Sequence, residues 1–190
     1  MADIVLASGS PRRAELLAMA GYGFEVLKTD TDENVEAESP EELVKILSAR
    51  KAEDAARLTD KTVIAADTVV ALGKRVLGKP ADADDAVRML RELSGNVHSV
   101  FTGITVRRGE IAVTEAHETK VYMRRIDEEE IAAYVATGDP LDKAGAYGVQ
   151  GRAGMFVSRL EGDYYTVVGL PLCRVSEILK DKFDITPTEK

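Results

Sequence analysis

Cysteine is nearly absent: Cys173 is the only one among 190 residues, so the chain can close no internal disulfide and suits a reducing compartment. It follows GLPL near a helix start with no accompanying base, which favours a small core residue over a nucleophile. Histidine is almost as scarce. His98 and His117 stand apart without metal-ligand spacing, which favours sheet residues over ligands. Positive charge is in deficit, with a formal net charge of −8 and a pI of about 4.9. A broad basic face for nucleic acid is therefore excluded, and any anionic ligand must be held by a local cluster of Lys and Arg. No apolar run is long enough for a membrane span, and the start DIVLAS lacks a basic, signal-like character, so a cytoplasmic protein with no membrane partner is expected. Internal repeats and low-complexity tracts are missing too.

Hydrophobic residues make up 45% and charged residues 31%, ordinary for a globular chain. A single domain over residues 1–190, built as two lobes, is expected. IVLAS reads as a buried strand broken by Gly9, Ser10 and Pro11, and RRAELLAMA as a helix with apolar Leu16, Leu17 and Met19 at helical spacing. FEVLKT is a second strand and the acidic DTDENVEAES a loop. Ser39, Pro40 and Glu42 form a capping-box start for a helix running to about Leu58. TVIAADTVVAL is a central strand interrupted at Asp67 and Thr68, and KRVL a short return strand. Helices follow at 82–93 and from Asp127, with HSVFTGITVRR and IAVTEAHETKVYMR as strands joined at Gly109. A glycine-rich stretch leads to a last helix over about 172–182 and a tail, DITPTEK, expected to fray. Interleaved strands and helices give an α/β class with a mixed sheet.

Gly73 to Pro80, GKRVLGKP, matches the phosphate-loop pattern GxxxxGK[ST] up to its last letter. Pro80 lacks the hydroxyl that would meet magnesium, KRVL is bulky and strand-like, and Asp82, Asp84 and Asp85 would repel a phosphate at the following helix. A hairpin that presents Lys79 to a phosphate fits better.

Other residues carry chemistry. Asp67 interrupts an apolar strand, where an unpaired carboxylate costs several kcal/mol, so it either ends the strand or serves as a metal-binding or water-activating group. SGSPRR places two hydroxyls, Arg12 and Arg13 at a strand-to-helix turn, a setting that suits a phosphate chain; a Ser N-cap with two solvated arginines is the alternative. Asp32 and Glu33 lie in the acidic loop, where carboxylates face water or hold a metal. Lys51 sits in a charged helix. DKAGAYGVQG combines a lysine, three glycines and Gln150; it is a plain turn or a close approach to a ligand whose base edge Gln150 reads.

Taken in order, LASGSPRRAELL, DENVE, LSARKA, AADTVVALGKRVLGKP, LSGNVHSVFTG, DKAGAYGVQG and GDYYTVVGLPL resemble the Maf family of nucleotide pyrophosphatases over nearly the whole chain. The resemblance implies an elongated mixed sheet with flanking helices and two lobes around a central cleft, similar to inosine triphosphate pyrophosphatases. It implies hydrolysis of a nucleoside triphosphate between its α- and β-phosphates, giving the monophosphate and pyrophosphate with a divalent cation, Mg²⁺ or Mn²⁺. By the same resemblance Asp67, Glu33, Lys51 and Lys79 are catalytic, Ser8 and Arg13 bind substrate, and Glu33 and Asp67 hold the metal. Asp67 is the expected base, with Glu33 as the other carboxylate. Arg12, Thr68 and Gln150 look like the subfamily acting on dTTP, UTP and modified pyrimidine nucleotides rather than 7-methylguanosine triphosphate. Asp139 departs from the family's frequent GEP segment. A homodimer is compatible with the family. A nucleotide-binding regulator of cell division or septum formation, with incidental hydrolysis, is the alternative function.

Overall fold

The computed structural model describes residues 3–187, and residues 188–190 at the end of the expected frayed tail lie outside them. Four consecutive apolar residues form β1 (Ile4–Ala7), buried throughout, as suits a strand covered on both faces. It runs parallel to both β2 (Phe24–Val26) and β3 (Thr62–Leu72), with Ile4 opposite Phe24 on one side and Thr62 on the other. Helix α1 (Pro11–Met19) makes the crossover to β2, and Pro11 occupies the first turn, where its missing N–H is no loss. Leu16 and Leu17 are buried, but Met19 is 61% exposed. It lies about 200° around the helix from Leu17, so it faces away from the residues it was grouped with.

Helix α2 (Pro40–Ala56) starts where the sequence places it, with Ser39 Oγ accepting from the Glu42 amide at 3.1 Å. Only half of the box forms, because the Glu42 carboxylate accepts from the Glu38 amide instead of that of Ser39. The helix rests directly on β5 (Val97–Arg108): a Cβ on Gly103 would stand 2.1 Å from the Val44 carbonyl oxygen. That close seat fixes the height of every residue α2 carries.

Strand β3 is continuous over eleven residues and is not interrupted at Asp67 or Thr68. Their side chains find partners within the protein, so the backbone has no reason to leave the sheet. β4 (Arg75–Leu77) folds back antiparallel through Gly73 and Lys74, with Leu72 opposite Arg75 and Gly73 at φ +61°. This hairpin disposes of the phosphate-loop geometry, since Arg75–Leu77 in the middle of GKRVLGKP are strand. Helix α3 (Ala83–Leu93) is capped by Asp82. Gly109 and Glu110 link β5 to its sheet neighbour β6 (Ile111–Met123), and α4 (Glu128–Val135) opens with a complete capping box of Asp127 and Glu130. Three 3-10 turns, Asp139–Asp142, Ala144–Ala146 and Arg152–Phe156, precede β7 (Val157–Glu161), α5 (Tyr164–Val168) and α6 (Leu172–Phe183). Cys173 is exposed on α6 and not in the core, because the inward stripe there is Leu172, Val175, Ile178, Leu179 and Phe183.

The sheet has seven strands in the order β2-β1-β3-β5-β6-β7, with β4 pairing to β3, and the fold is mixed α/β. Two compact units divide the chain. The first takes the residues up to Thr68, then Thr102–His117, then Gly169 onward; the second takes Val69–Phe101 and Glu118–Val168. Val5, Ala7, Ala52, Ala55, Val63 and Ala65 pack together in the first. Leu90, Val100, Val121, Ile131, Tyr147 and Phe156 belong to the core of the second. Among the described residues, no helix is long and apolar enough to cross a membrane.

Candidate active site

The turn from β1 into α1 puts Ser8 and Arg13 side by side in the first unit. Arg13 is held on three sides: its Nε donates to the Gly169 carbonyl at 2.8 Å, Nη1 to Ser8 Oγ at 2.9 Å and Nη2 to Thr68 Oγ1 at 3.0 Å. Thr68 Oγ1 lies 2.9 Å from Thr102 Oγ1 on β5. Because the Thr68 oxygen accepts from Arg13, its own proton can be given to Thr102. Ser8 Oγ accepts from Arg13 and from the Ser10 amide at 3.2 Å, which leaves the Ser8 proton to donate elsewhere. Ser10 makes no side-chain cap, so the plain reading of SGSPRR as a serine cap with solvated arginines does not describe this turn.

All three acceptors of Arg13 are neutral, and among the described residues no carboxylate forms an ion pair with it. Burial pulls its pKa below the ordinary arginine value; the Asp67 charge opposes that, Arg12 next door adds to it, and Glu33 opposes it again. A rigid, desolvated guanidinium without a paired anion is suited to receive one.

The second cluster lies on α2, β3 and the acidic loop. Lys51 Nζ is 2.6 Å from Asp67 Oδ1 and 2.7 Å from Glu33 Oε1. The Lys51 and Asp67 side chains are only 16% and 14% exposed, whereas Glu33 is 62% exposed. The ammonium is what makes a half-buried carboxylate tolerable in the middle of an apolar strand. Adjacent strand positions thus serve both clusters, Asp67 pairing with Lys51 and Thr68 with Arg13.

The acidic loop is stapled to α2. Arg50 Nη1 donates to the carbonyls of Asp32 at 3.2 Å and Asn34 at 3.4 Å, on either side of Glu33, and Thr31 donates to Asp54 at 2.8 Å. The Asp32 carboxylate itself only closes a turn onto the Asn34 amide. Sequence reasoning missed Arg50, Thr102 and Gly169. For Gly169 a signal existed in VVGLP: its φ is +120°, and a Cβ there would stand 3.3 Å from Thr68 Oγ1 and 3.5 Å from Arg13 Nε.

Of the nine residues singled out for the site, the structure brings together Ser8, Arg13, Thr68, Glu33, Lys51 and Asp67, with Arg12 half-buried beside Arg13. Lys79 and Gln150 belong to the second unit, where both are exposed. Asp139 also lies there, and its carbonyl accepts from Lys143 Nζ at 2.6 Å, a backbone contact that a glutamate would keep.

Among the described residues, no group of three or more His, Cys, Asp or Glu side chains is arranged as a metal site. Glu33 and Asp67 nonetheless bring two carboxylates onto one positive charge. That donor set fits Mg²⁺ or Mn²⁺, hard cations that take one or two carboxylates and complete their shell with water and phosphate oxygens.

Residues 3–182 match the family described as Maf-like protein. The chain belongs to the Maf family. Among its Maf relatives, the dTTP/UTP pyrophosphatase of Pelotomaculum thermopropionicum is 50% identical over 184 residues, covering 95% of this chain and 96% of the relative. The dTTP/UTP pyrophosphatase of Bacillus cereus strain B4264 is 46% identical over 190 residues and covers 99% of each. In fold, this Maf chain resembles the Ham1 protein of Staphylococcus aureus, with a TM-score of 0.54 at 14% identity over 92% of this chain and 98% of that one. A HAM1 protein from Coxiella burnetii gives the same TM-score at 18% identity, covering 95% of this chain and 100% of that one. The family and the mixed α/β class read from the motifs are both borne out.

Proposed function

We propose that this Maf protein is a nucleoside triphosphate pyrophosphatase that hydrolyses dTTP and UTP to the monophosphate and pyrophosphate. The observation that carries the chemistry is the convergence of Asp67 and Glu33 on Lys51, with the unpaired Arg13 guanidinium in the same unit. The names of the relatives support the substrates.

Phosphoanhydride hydrolysis needs neutralised phosphates and an oriented water. Arg13 and Lys51 supply fixed positive charge to the triphosphate in an otherwise acidic protein, and Lys79 is a third proposed catalytic cation. Ser8, whose proton is uncommitted, donates to a phosphate oxygen. Asp67 orients a water and accepts its proton as the water oxygen bonds to the α-phosphorus. The bond from that phosphorus to the bridging oxygen breaks, and the oxygen leaves with pyrophosphate. Glu33 and Asp67 would hold the divalent cation, which when bound supplies charge neutralisation and polarises the phosphate oxygens. Arg12, Thr68 and Gln150 set the preference for a pyrimidine. The Thr68 hydroxyl is already engaged by Arg13 and Thr102, so its influence is exerted through the position of Arg13.

The test is product analysis over a panel of triphosphates with Mg²⁺ or Mn²⁺. Pyrophosphate and monophosphate from dTTP and UTP, in preference to purine nucleotides, are expected. Orthophosphate as the only phosphate product would overturn α–β cleavage, and tight dTTP binding without turnover would favour the regulatory reading.

A further inference from the structure

The core of the second unit contains a polar pair that the proposed chemistry leaves unused. His98 on β5 and Tyr147 in the glycine-rich segment are 2% and 5% exposed, among residues such as Leu90, Val100 and Phe156. His98 Nε2 lies 2.7 Å from the Tyr147 hydroxyl, and the rings meet edge-on with centroids 5.3 Å apart. The other ring nitrogen, Nδ1, is buried without a hydrogen-bond partner. Two apolar side chains would fill this space without such a demand. A hydrogen bond, unlike an apolar contact, is satisfied at one register of the segment only.

The backbone around Tyr147 requires such a lock. Gly145 and Ala146 precede it with φ +68° and +60°, and a left-handed alanine costs on the order of 1 kcal/mol. The Gly145 amide donates to the Gly78 carbonyl at 3.0 Å, and a Cβ on Gly145 would stand 3.0 Å from Val70 Cγ1. That bond ties the segment to the residue just before Lys79. Beyond Tyr147, the Gly151 amide donates to the Gly148 carbonyl at 3.1 Å. Residues 145–151 are thus fastened to the rest of the unit at Gly145 and Tyr147, and the turn closed between Gly148 and Gly151 carries the exposed Gln150. A rigid backbone with one free amide side chain is the form that base reading requires, because a mobile support would spend the hydrogen-bond energy on ordering.

We infer that His98 and Tyr147 are positioning residues for nucleotide selection: their buried contact sets the register of the glycine-rich segment, and so the placement of Gln150 on which the pyrimidine preference depends. The inference rests on the base-reading role proposed for Gln150.

The experiment compares wild type, Tyr147→Phe and the double variant His98→Leu/Tyr147→Phe. Melting temperature, hydrogen exchange and the kinetics for dTTP, UTP and dATP are measured for each. Tyr147→Phe keeps the ring and deletes one buried hydrogen bond, so KM for dTTP and the selectivity against dATP should each worsen roughly tenfold. Turnover at saturation should stay within about threefold, since Tyr147 takes no part in the bond-making step. Amides of residues 145–151 should exchange faster while those of α3 and α4 do not. The apolar double variant should regain melting temperature but not selectivity. If it recovers both, or if Tyr147→Phe leaves KM and selectivity unchanged, the pair is ordinary packing and the inference is overturned. A wild type inactive on dTTP and UTP would refute the substrate assignment instead; segment exchange, and selectivity on whichever triphosphate it accepts, would still decide the positioning role.

Discussion

Asp67→Asn separates the chemical role of this carboxylate from its structural one. The aspartate meets Lys51 at 2.6 Å with both side chains largely shielded, a setting in which stripping a partner outright costs about 3–5 kcal/mol. Asparagine has the same shape and keeps an oxygen for the ammonium, and Lys51 retains Glu33 at 2.7 Å, so no charge is stranded. The expected loss of stability is therefore about 1 kcal/mol or less, a melting shift of roughly 2–4 °C for a chain of this size. Catalysis should suffer far more. Loss of a positioned base removes about 10²–10⁴-fold, and Asp67 is also one of the two proposed cation ligands. Turnover of saturating dTTP should fall about 10³-fold, equivalent to about 4 kcal/mol of barrier. Pyrophosphate release at saturating metal, alongside a melting curve, measures both. Turnover within tenfold of wild type would remove Asp67 from the base role. A large fall in melting temperature would show that its charge is mainly structural.

Gly103→Ala should prevent stable folding or cost more than about 3 kcal/mol, because the added methyl would stand 2.1 Å from the Val44 carbonyl; urea denaturation reads the loss. Stability should also fall in mild acid. Burial lowers the His98 pKa from 6.5 to about 4, so the unfolded chain takes up a proton that the folded one refuses. The contribution is complete above about pH 6.5 and is lost as pH falls toward 4, on the order of 3 kcal/mol, and the slope should flatten in the His98→Leu/Tyr147→Phe variant. Cys173 should react with a thiol reagent without denaturant, and Cys173→Ser should change stability by no more than about 0.5 kcal/mol.

Local signals in the sequence carried much of the architecture. The Ser39 cap, the Gly73 turn and the Gly109 connection depend on the few residues around them, so their chemistry could be read directly. Asp67 was recognisable because a carboxylate in an apolar strand demands an explanation. Its effect on the strand was misjudged for a related reason: an ammonium from α2, distant in sequence, relieves the cost that would otherwise end the strand. Met19 and Cys173 went astray because apolar character alone does not say which side of a helix faces inward. Arg50, Thr102 and Gly169 act through backbone carbonyls and hydroxyls, contacts that many residue types could make and that leave no pattern in a single sequence. GKRVLGKP and DKAGAYGVQG stood out as candidate phosphate and base contacts beside plainer readings as a hairpin and a turn, and the bonds that hold them became visible only in three dimensions.

The Arg13–Gly169 hydrogen bond joins residues 156 positions apart and has a consequence for the order of assembly. The unit that holds Arg13, Lys51 and Asp67 is drawn from both ends of the chain, with the whole second unit contained in two excursions between them. During synthesis the arginine proposed to bind phosphate therefore waits for its backbone anchor until nearly the entire chain has emerged. Closing so long a loop is a late and slow step, set by chain entropy and not by local propensity. A nascent or prematurely terminated chain ending before Gly169 would have its acidic loop and Lys51 in place but an unanchored Arg13. Such topology ties competence for nucleotide hydrolysis to completion of translation.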